Sequence, residues 1–376
     1  MSPKILPYAL LLCLPVLGWS RGIQDPTLTQ EGYIKAGYQY TQYNHTPSNN
    51  DMAIGGEFSL EKGWTENIYT GLSLSTNQIL HTDPSDGDTP FFNSQGEGYF
   101  LLSQIYLKLD FGESQLKIGR QFVETPFVHR NDIAMIPSTY EGITFAHTWE
   151  EVFNFQALWL NKTAGGIYTD IPEKFTPINE TGGLYAVGLS YADEESGLTA
   201  QAWRYQLSEY EKYYYIDTKY TGESQDISYH LGLQIAQQDF EEVESAVVLG
   251  LEASIGLDDN SYALTIAYNR ALQGAVDGSL GNGPFFVNSS YLGIENAGDE
   301  GSIFNVGFVY TEEKRSMSYI RSFLSYRDKK TAFANTLELA YSVGDNLDIA
   351  LEYTYIEEDS QEVQDHIMQI FASYTF

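Results

Sequence analysis

The chain has 376 residues, of which 51 are acidic and 20 are basic, giving a formal net charge of −31. This acidic balance argues against a nucleic-acid partner, because few side chains would neutralise phosphates. The 29 tyrosines, 20 phenylalanines and 33 glycines favour a β structure with aromatic girdles and polar surfaces.

The first segment, "MSPKILPYALLLCLPVLGWS" at 1–20, predicts a secretory signal peptide. Lys4 precedes an apolar run from Ile5 to Leu17, and small and polar residues follow. We expect cleavage near residues 20–22 and one mature domain over 23–376. Cys13 is the only cysteine, so the mature chain would have no thiol for a disulfide or a metal. Later segments lack the roughly 18 apolar residues of a spanning helix, so a membrane protein of this sequence must be a β-barrel.

Eighteen segments of the mature chain alternate apolar and polar residues with the period of two that strands require. In chain order they are 31–43, 52–60, 66–76, 98–110, 114–121, 140–148, 152–161, 184–192, 198–207, 211–221, 227–237, 246–257, 261–270, 303–311, 317–326, 333–342, 347–356 and 366–376. The even number and the segment lengths are typical of bacterial barrels. The sequence therefore predicts an all-β fold, a transmembrane antiparallel β-barrel of about 18 strands.

The connections between these segments alternate between short and long. The short ones include "EKGWT", "FGE" and "VGDN", and the long ones are 77–97, 122–139, 162–183 and 271–302. This alternation predicts periplasmic turns, external loops, and periplasmic N- and C-termini. The external link near 208–210 is short, so we expect a misplaced strand boundary there. A soluble sandwich or solenoid is the alternative, since soluble antiparallel sheets also have one apolar and one polar face.

The last segment, "HIMQIFASYTF" at 366–376, ends on Phe376. We expect this strand to pair with the first one, because a barrel leaves no strand edge unpaired. An aromatic ring at its end is favourable at a membrane interface. The segment also resembles the C-terminal sorting signal of bacterial outer-membrane proteins.

Two stretches resemble the OprD family of outer-membrane porins and the related major porins of epsilon-proteobacteria. They are "KIGRQFVETPFVHRNDIAMIPSTYEGITF" at 117–145 and "GNGPFFVNSSYLGIENAGD" at 281–299. In that family a "GRQ…TP…P.T.EG" run leads from a strand into a loop that folds inside the barrel. The resemblance implies a passive outer-membrane channel for small hydrophilic solutes and ions, surrounded by membrane lipid and lipopolysaccharide. It also implies a homotrimer.

The third external link is the candidate pore constriction, because Pro126 and Pro137 stiffen it and it contains charges of both signs. Opposed charges in a narrow, water-filled space sort solutes by charge and dipole. The alternative is a loop whose charges face only solvent, and the resemblance favours an infolded third external loop. The candidate residues are Arg120, Glu124, His129, Arg130, Asp132 and Glu141.

Strand alternation predicts that four cations line the pore: Lys35, Lys117, Arg204 and Arg321. Such a row resembles the basic ladder by which the family guides carboxylates, although each cation is also explained as an isolated charge in pore water. Arg120 and Arg270 fall on apolar rows near strand ends, and the sequence leaves their side open. The near balance of bases and acids in the third external link, within an acidic vestibule, predicts a mild preference for cations at low salt. Selectivity for a particular substrate is the alternative.

Two other classes of function remain as alternatives, a barrel-anchored surface adhesin and an outer-membrane enzyme. An enzyme would need a nucleophile, a base and an orienting group together on the outward rim, and His147 and His230 have no such partners nearby in the sequence. The six histidines have no metal-ligand spacing. We therefore expect no catalytic residues, no cofactor and no metal site.

Overall fold

The computed structural model describes residues 27–43, 48–83, 91, 96–130, 135–166, 172–180, 182–207, 211–224, 227–257, 261–278, 283–287, 291–328, 330–358 and 363–376. The predicted signal peptide and Asp132 lie outside these residues. In the part of the chain that is described, no helix is long and apolar enough to cross a membrane.

The described residues form nineteen strands and one short 3₁₀ helix. The strands are β1 (Leu28–Gln42), β2 (Asn49–Thr65), β3 (Ile68–Thr82), β4 (Tyr99–Asp110), β5 (Ser114–Gln121), β6 (Thr139–Trp149), β7 (Phe153–Ala164), β8 (Thr176–Pro177), β9 (Leu184–Asp193), β10 (Leu198–Gln206), β11 (Lys212–Ser224), β12 (Ile227–Asp239), β13 (Ala246–Leu257), β14 (Tyr262–Gln273), β15 (Ser302–Glu312), β16 (Arg315–Ser325), β17 (Thr331–Val343), β18 (Leu347–Glu358) and β19 (Val363–Thr375). The helix spans Ile294–Ala297.

The strands form one closed antiparallel sheet, because β1 pairs with β19 as well as with β2. The closing register runs from Tyr33 opposite Thr375 to Gln42 opposite His366. The amides of Gly32 and Phe376 each donate to the other residue's carbonyl at 3.0 Å. The prediction that the last strand closes the barrel is therefore confirmed.

Each of the eighteen predicted segments corresponds to a barrel strand, with boundaries that differ by a few residues. The nineteenth strand, β8, has two residues and pairs with the external end of β7. The expectation of a misplaced boundary near 208–210 is wrong, because Gln206 pairs with Lys212 across a short connection. The predicted turn "EKGWT" belongs to β2, which continues to Thr65.

The wall has an outward apolar face and an inward polar face, as β13 illustrates. Leu251 and Ile255 are about half exposed on the outer row, whereas Gly250 and Glu252 lie on the inner row. A register shift opposite Glu141 and Gly142 leaves Asn161 of β7 with no residue opposite it in β6, so the side-chain alternation of β7 changes there. Side-chain direction must therefore be taken from cross-strand partners and not from alternation alone.

The buried apolar core lies inside the barrel. Its larger cluster joins inward side chains of the wall to two external loops, L3 (122–138) and L7 (274–301). Phe127 and Val128 of L3 and Phe285, Val287 and Ile294 of L7 are almost completely buried in this cluster. The two loops therefore enter the lumen, and they are the elements that narrow the passage.

Candidate functional site

Loop L3 leaves the wall at β5 and reaches inward side chains of β10 and β11. The ring of Phe127 lies 5.4 Å from that of Tyr205, 5.3 Å from that of Tyr213 and 6.1 Å from that of Tyr215, measured between centroids. The backbone N–H of Phe127 also donates to Oη of Tyr205 at 3.4 Å. Because strands β6, β7 and β9 separate β5 from β10 around the wall, this contact requires the loop to cross the lumen.

The second half of L3 packs against the opposite part of the wall. The carbonyl oxygen of Met135 accepts a hydrogen bond from Oη of Tyr33 at 3.4 Å. A Cβ atom built on Gly37 of β1 would lie 2.7 Å from Sδ of Met135, so the loop occupies the space that a side chain there would need. L3 thus spans the lumen from β10–β11 to β1, which confirms the predicted infolding.

Loop L7 also enters the lumen, where inward amide side chains of the wall hold its backbone. Gln234 donates to the carbonyl of Pro284 at 3.1 Å and accepts from the N–H of Phe286 at 3.0 Å. Oδ1 of Asn269 accepts from the N–H of Val287 at 2.7 Å. The "GPFF" segment resembles the family in sequence, but its infolding was not predicted. Its apolar residues, which would be unfavourable in an external loop, were the available signal.

Three of the predicted constriction residues lie on the described part of L3. The carbonyl of His129 accepts a hydrogen bond from Oη of Tyr140 at 3.2 Å. The guanidinium of Arg130 lies 4.3 Å from the ring centroid of Phe122, and its carbonyl accepts from the N–H of Ser138. Glu124 is exposed. These residues keep their place in the candidate constriction.

Arg120 and Glu141 are placed differently, because they belong to the outer row of the wall. Arg120 is opposite Ile105, which is half exposed on the outer face, and it is also opposite Glu141. Nε of Arg120 lies 3.2 Å from one oxygen of Glu141, and Nζ of Lys162 lies 2.9 Å from the other. The structure therefore does not bring Arg120 and Glu141 to the lumen with L3.

The four cations predicted to line the pore divide into two inward and two outward residues. Lys35 lies over the ring of the inward Phe371 at 4.5 Å, and Lys117 lies over that of Tyr106 at 3.7 Å, so both face the lumen. Arg204 lies on the row opposite that of the buried Trp203 and Tyr205 and is exposed.

Arg321 also faces outward, and its side chain lies between the rings of Phe323 and Phe333. Its guanidinium lies 5.1 Å from the ring centroid of Phe323 and 4.8 Å from that of Phe333. The inward predictions for Arg204 and Arg321 are therefore wrong. In β10 the aromatic row faces the infolded loop and not the lipid. In β16 Arg321 lies on the outward row between Tyr319 and Phe323.

Two lumen cations that the sequence did not single out are each paired with an acid. Nζ of Lys108 lies 2.6 Å from Glu61 near the periplasmic end. Nζ of Lys219 lies 3.3 Å from Glu252, which also contacts Nε2 of His230 at 2.8 Å. Only cross-strand register brings these residues together, so spacing along the chain contained no signal for them.

The sequence was compared with models of known protein families. A family model described as "outer membrane porin, OprD family" matches residues 93–282, about half of the chain. The chain belongs to the OprD family of outer membrane porins. No curated protein matches this porin.

Solved porin structures resemble its fold closely at low sequence identity. The crystal structure of Acinetobacter baumannii OccAB4 has a TM-score of 0.79 and 14% identity, over 94% of this chain and 99% of that chain. Pseudomonas aeruginosa OccK9 (OpdG) has a TM-score of 0.78 and 12% identity, over 93% and 98%. Pseudomonas aeruginosa OpdK, solved with vanillate, has a TM-score of 0.73 and 14% identity, over 92% and 98%. The protein is thus an outer-membrane β-barrel.

The lumen wall of the porin contains carboxylates that have only neutral hydrogen-bond donors among their described contacts. Glu57 accepts from the hydroxyls of Ser59, Ser75 and Ser103 at 2.8–3.1 Å. Asp217 accepts from Tyr215 at 2.6 Å and from Gln201 at 2.9 Å. Hydroxyl and amide donors are neutral, so these hydrogen bonds do not cancel the charge of a carboxylate. These acids therefore contribute negative potential to the lumen.

Proposed function

We propose that this porin is a passive channel for small hydrophilic solutes and ions, with a mild preference for cations and without catalytic activity. The observation that supports the preference is the charge of the inward rows. Inward carboxylates on the described strands include Asp51, Glu57, Glu61, Asp217, Glu252, Glu338 and Glu352, whereas the inward cations there are Lys35, Lys108, Lys117 and Lys219.

The local pairs strengthen this argument. Lys108 is neutralised by Glu61 and Lys219 by Glu252, whereas Glu57 and Asp217 are held by neutral donors. Glu338 accepts from Ser318 at 2.6 Å. Charges inside a narrow lumen act on a passing ion directly, whereas charges on external loops are screened within about 8 Å at physiological salt. The lumen should therefore decide selectivity, and its excess of acid favours cations.

The constriction in this proposal is the described part of L3 with Glu124, His129 and Arg130, together with the inward wall that faces it. Asp132 remains a candidate by its position in the sequence. The homotrimer remains a proposal, which native mass spectrometry of the detergent-extracted protein would test. The signal peptide likewise remains a prediction, and N-terminal sequencing of the mature protein should begin near residues 21–23.

Planar-bilayer recording tests the channel and its preference together. The purified porin should insert as steps of constant conductance, and a potassium chloride gradient should give a reversal potential of the sign expected for cations. The preference should weaken as salt is raised, because screening reduces the effect of fixed charges. Absence of conductance would contradict the channel and favour an adhesin, and hydrolysis of lipid or peptide substrates would favour an enzyme.

A further inference from the structure

Six basic side chains of the described strands face away from the lumen near the external rim. Each lies within the five residues closest to the external end of its strand. We call this group the basic belt; its members are Arg120, Lys162, Arg204, Lys212, Arg270 and Arg321. In a chain with a net charge of −31, this concentration of cations on one surface needs an explanation.

Cross-strand partners establish the outward direction of the belt. Arg204 is opposite Val187 and Arg321 is opposite Val306, and both valines are exposed on the outer face, at 46% and 40%. Arg270 is opposite Leu249, which belongs to the outer row of β13. The belt therefore faces the surrounding membrane and does not contact permeating solutes.

Outward aromatic rings place the belt at the level of the membrane interface. Phe304 and Phe323 stack on the outer face near Arg321, and Tyr185, 56% exposed, is opposite Gln206 beside Arg204. Aromatic rings concentrate where the hydrocarbon meets the head groups. Charged side chains on the lipid face of a barrel are tolerated at this level and are costly at the midplane.

Strand carboxylates neutralise only part of the belt. Among the described residues of β5–β17, the outward acids near the external ends are Glu141, which contacts Arg120 and Lys162, and Asp239, which is opposite Lys212. A hydrogen bond from Arg204 goes to Oε1 of Gln206 at 3.1 Å, a neutral acceptor. Among the strand residues, the belt therefore has a positive excess that faces the head groups of the outer leaflet.

We propose that the basic belt binds the phosphate groups of the anionic glycolipid in the outer leaflet. Arg204 and Lys212 form its densest part, because Lys212 lies on the neighbouring strand, diagonally across from Arg204, at a spacing of about 7–8 Å. One phosphate can contact both groups, and a guanidinium binds phosphate through two parallel hydrogen bonds. This proposal rests on the outer-membrane location and does not depend on conduction or ion preference.

Binding of purified glycolipid to the full-length porin in neutral detergent tests the proposal by native mass spectrometry. Two probes with identical acyl chains are compared, the bisphosphorylated lipid and its phosphatase-treated form. The double variant R204Q/K212Q should bind the phosphorylated lipid about tenfold more weakly than the wild type, since each cation near an anionic lipid surface adds to affinity. The dephosphorylated lipid should bind weakly to both proteins.

The control is K35Q/K219Q, which removes two cations from the lumen and leaves the belt intact. It should bind the phosphorylated lipid like the wild type. The gel shift on heating reports whether each variant folds. If R204Q/K212Q does not fold, a second belt variant, R270Q/R321Q, takes its place and should also bind the phosphorylated lipid more weakly. Equal binding of both lipids by the wild type, or wild-type binding by a folded belt variant, would overturn the proposal. Binding of inorganic phosphate alone to the wild type as tightly as the phosphorylated lipid would also overturn it, because a free anion would then be the ligand.

Discussion

The ring of Phe127 in L3 meets the ring of Phe285 in L7 edge to face, with centroids 6.1 Å apart and an interplanar angle of 82°. Both rings are almost completely buried. The two infolded loops therefore support each other inside the lumen, and neither is fixed by the wall alone. Since edge-to-face pairs add stabilisation beyond burial, the shape of the passage should be sensitive to substitution of Phe127, whose ring also contacts those of Tyr205, Tyr213 and Tyr215.

Replacing Phe127 with alanine should loosen L3 and raise the single-channel conductance. A buried phenylalanine truncated to alanine costs roughly 3–5 kcal/mol, and here the loss falls on the docked loop while the hydrogen-bonded wall remains. Current noise should rise as well, because the loop would move during recording. The control F323A removes a ring from the outer face and should leave conductance unchanged. An unchanged current through F127A would show that L3 does not set the passage.

Neutralising Glu338 and Glu352 should shift the reversal potential toward anions. These acids are cross-strand partners on the inward rows of β17 and β18, so removing them lowers the negative potential that cations meet. The matched control is E357Q on β18. Glu357 lies on the same outward row as Tyr355 and accepts a hydrogen bond from the Tyr355 hydroxyl at 2.7 Å. A shift of the same size in E357Q would mean that surface charge decides selectivity.

Docking of L7 should depend on pH through Glu295, which lies in the 3₁₀ helix. Burial raises the pKa of Glu295, so the docked loop binds a proton at a pH where an exposed carboxyl group is already ionised. This contribution to stability is fully present below the ordinary pKa of a glutamate and is lost as pH rises from there through the raised pKa. Hydrogen exchange of residues 291–301 should therefore be slower at about pH 4 than at about pH 7.5, after correction for intrinsic rates. In E295Q this difference should disappear, and its persistence would contradict the assignment.

Barrel closure should fail when the contact between Gly32 and Phe376 is disturbed. A Cβ atom on Gly32 would lie 2.5 Å from the carbonyl oxygen of Glu57 and 2.8 Å from Cζ of Phe376. Both G32V and deletion of Phe376 should reduce the heat-modifiable form on gels and its amount in the outer membrane. The control is G344V, a substitution in a turn away from the seam. A Cβ at Gly344 would meet nothing within 4 Å, and its positive φ of 70° makes the strain local to that turn. Normal assembly of both closure variants would argue against the role of this contact.

The sequence predicted the wall of the barrel well, because strand alternation and turn chemistry are local properties. The segment 347–356 illustrates this, since Ile349 and Leu351 alternate with Ala350 and Glu352 in the sequence, and the register of β18 puts the two sets on opposite faces. Infolding of L3 was also predicted, but from the family resemblance and not from alternation.

The direction of individual charges was harder to predict, and the errors have a physical origin. Trp203 and Tyr205 form an apolar row that faces an infolded loop, so the assumption that apolar rows face lipid failed for Arg204. Arg321 was assigned inward by strand alternation, yet it lies on the outward row, where a position between two rings accommodates its charge. Contacts such as those of Lys219 depend on register between distant segments, which no local pattern encodes.

Pairing of β1 with β19 joins residues as far apart in sequence as Tyr33 and Thr375, whereas the other long strands pair with near neighbours in the chain. Hairpins can therefore form early, because their loops close at little entropic cost, but the final seam must wait for a loop of several hundred residues to close. Until then the growing sheet has two unpaired edges, and such edges template aggregation. Assembly of this protein should thus be limited by a single late event, and an assembly factor that shields either edge would accelerate it.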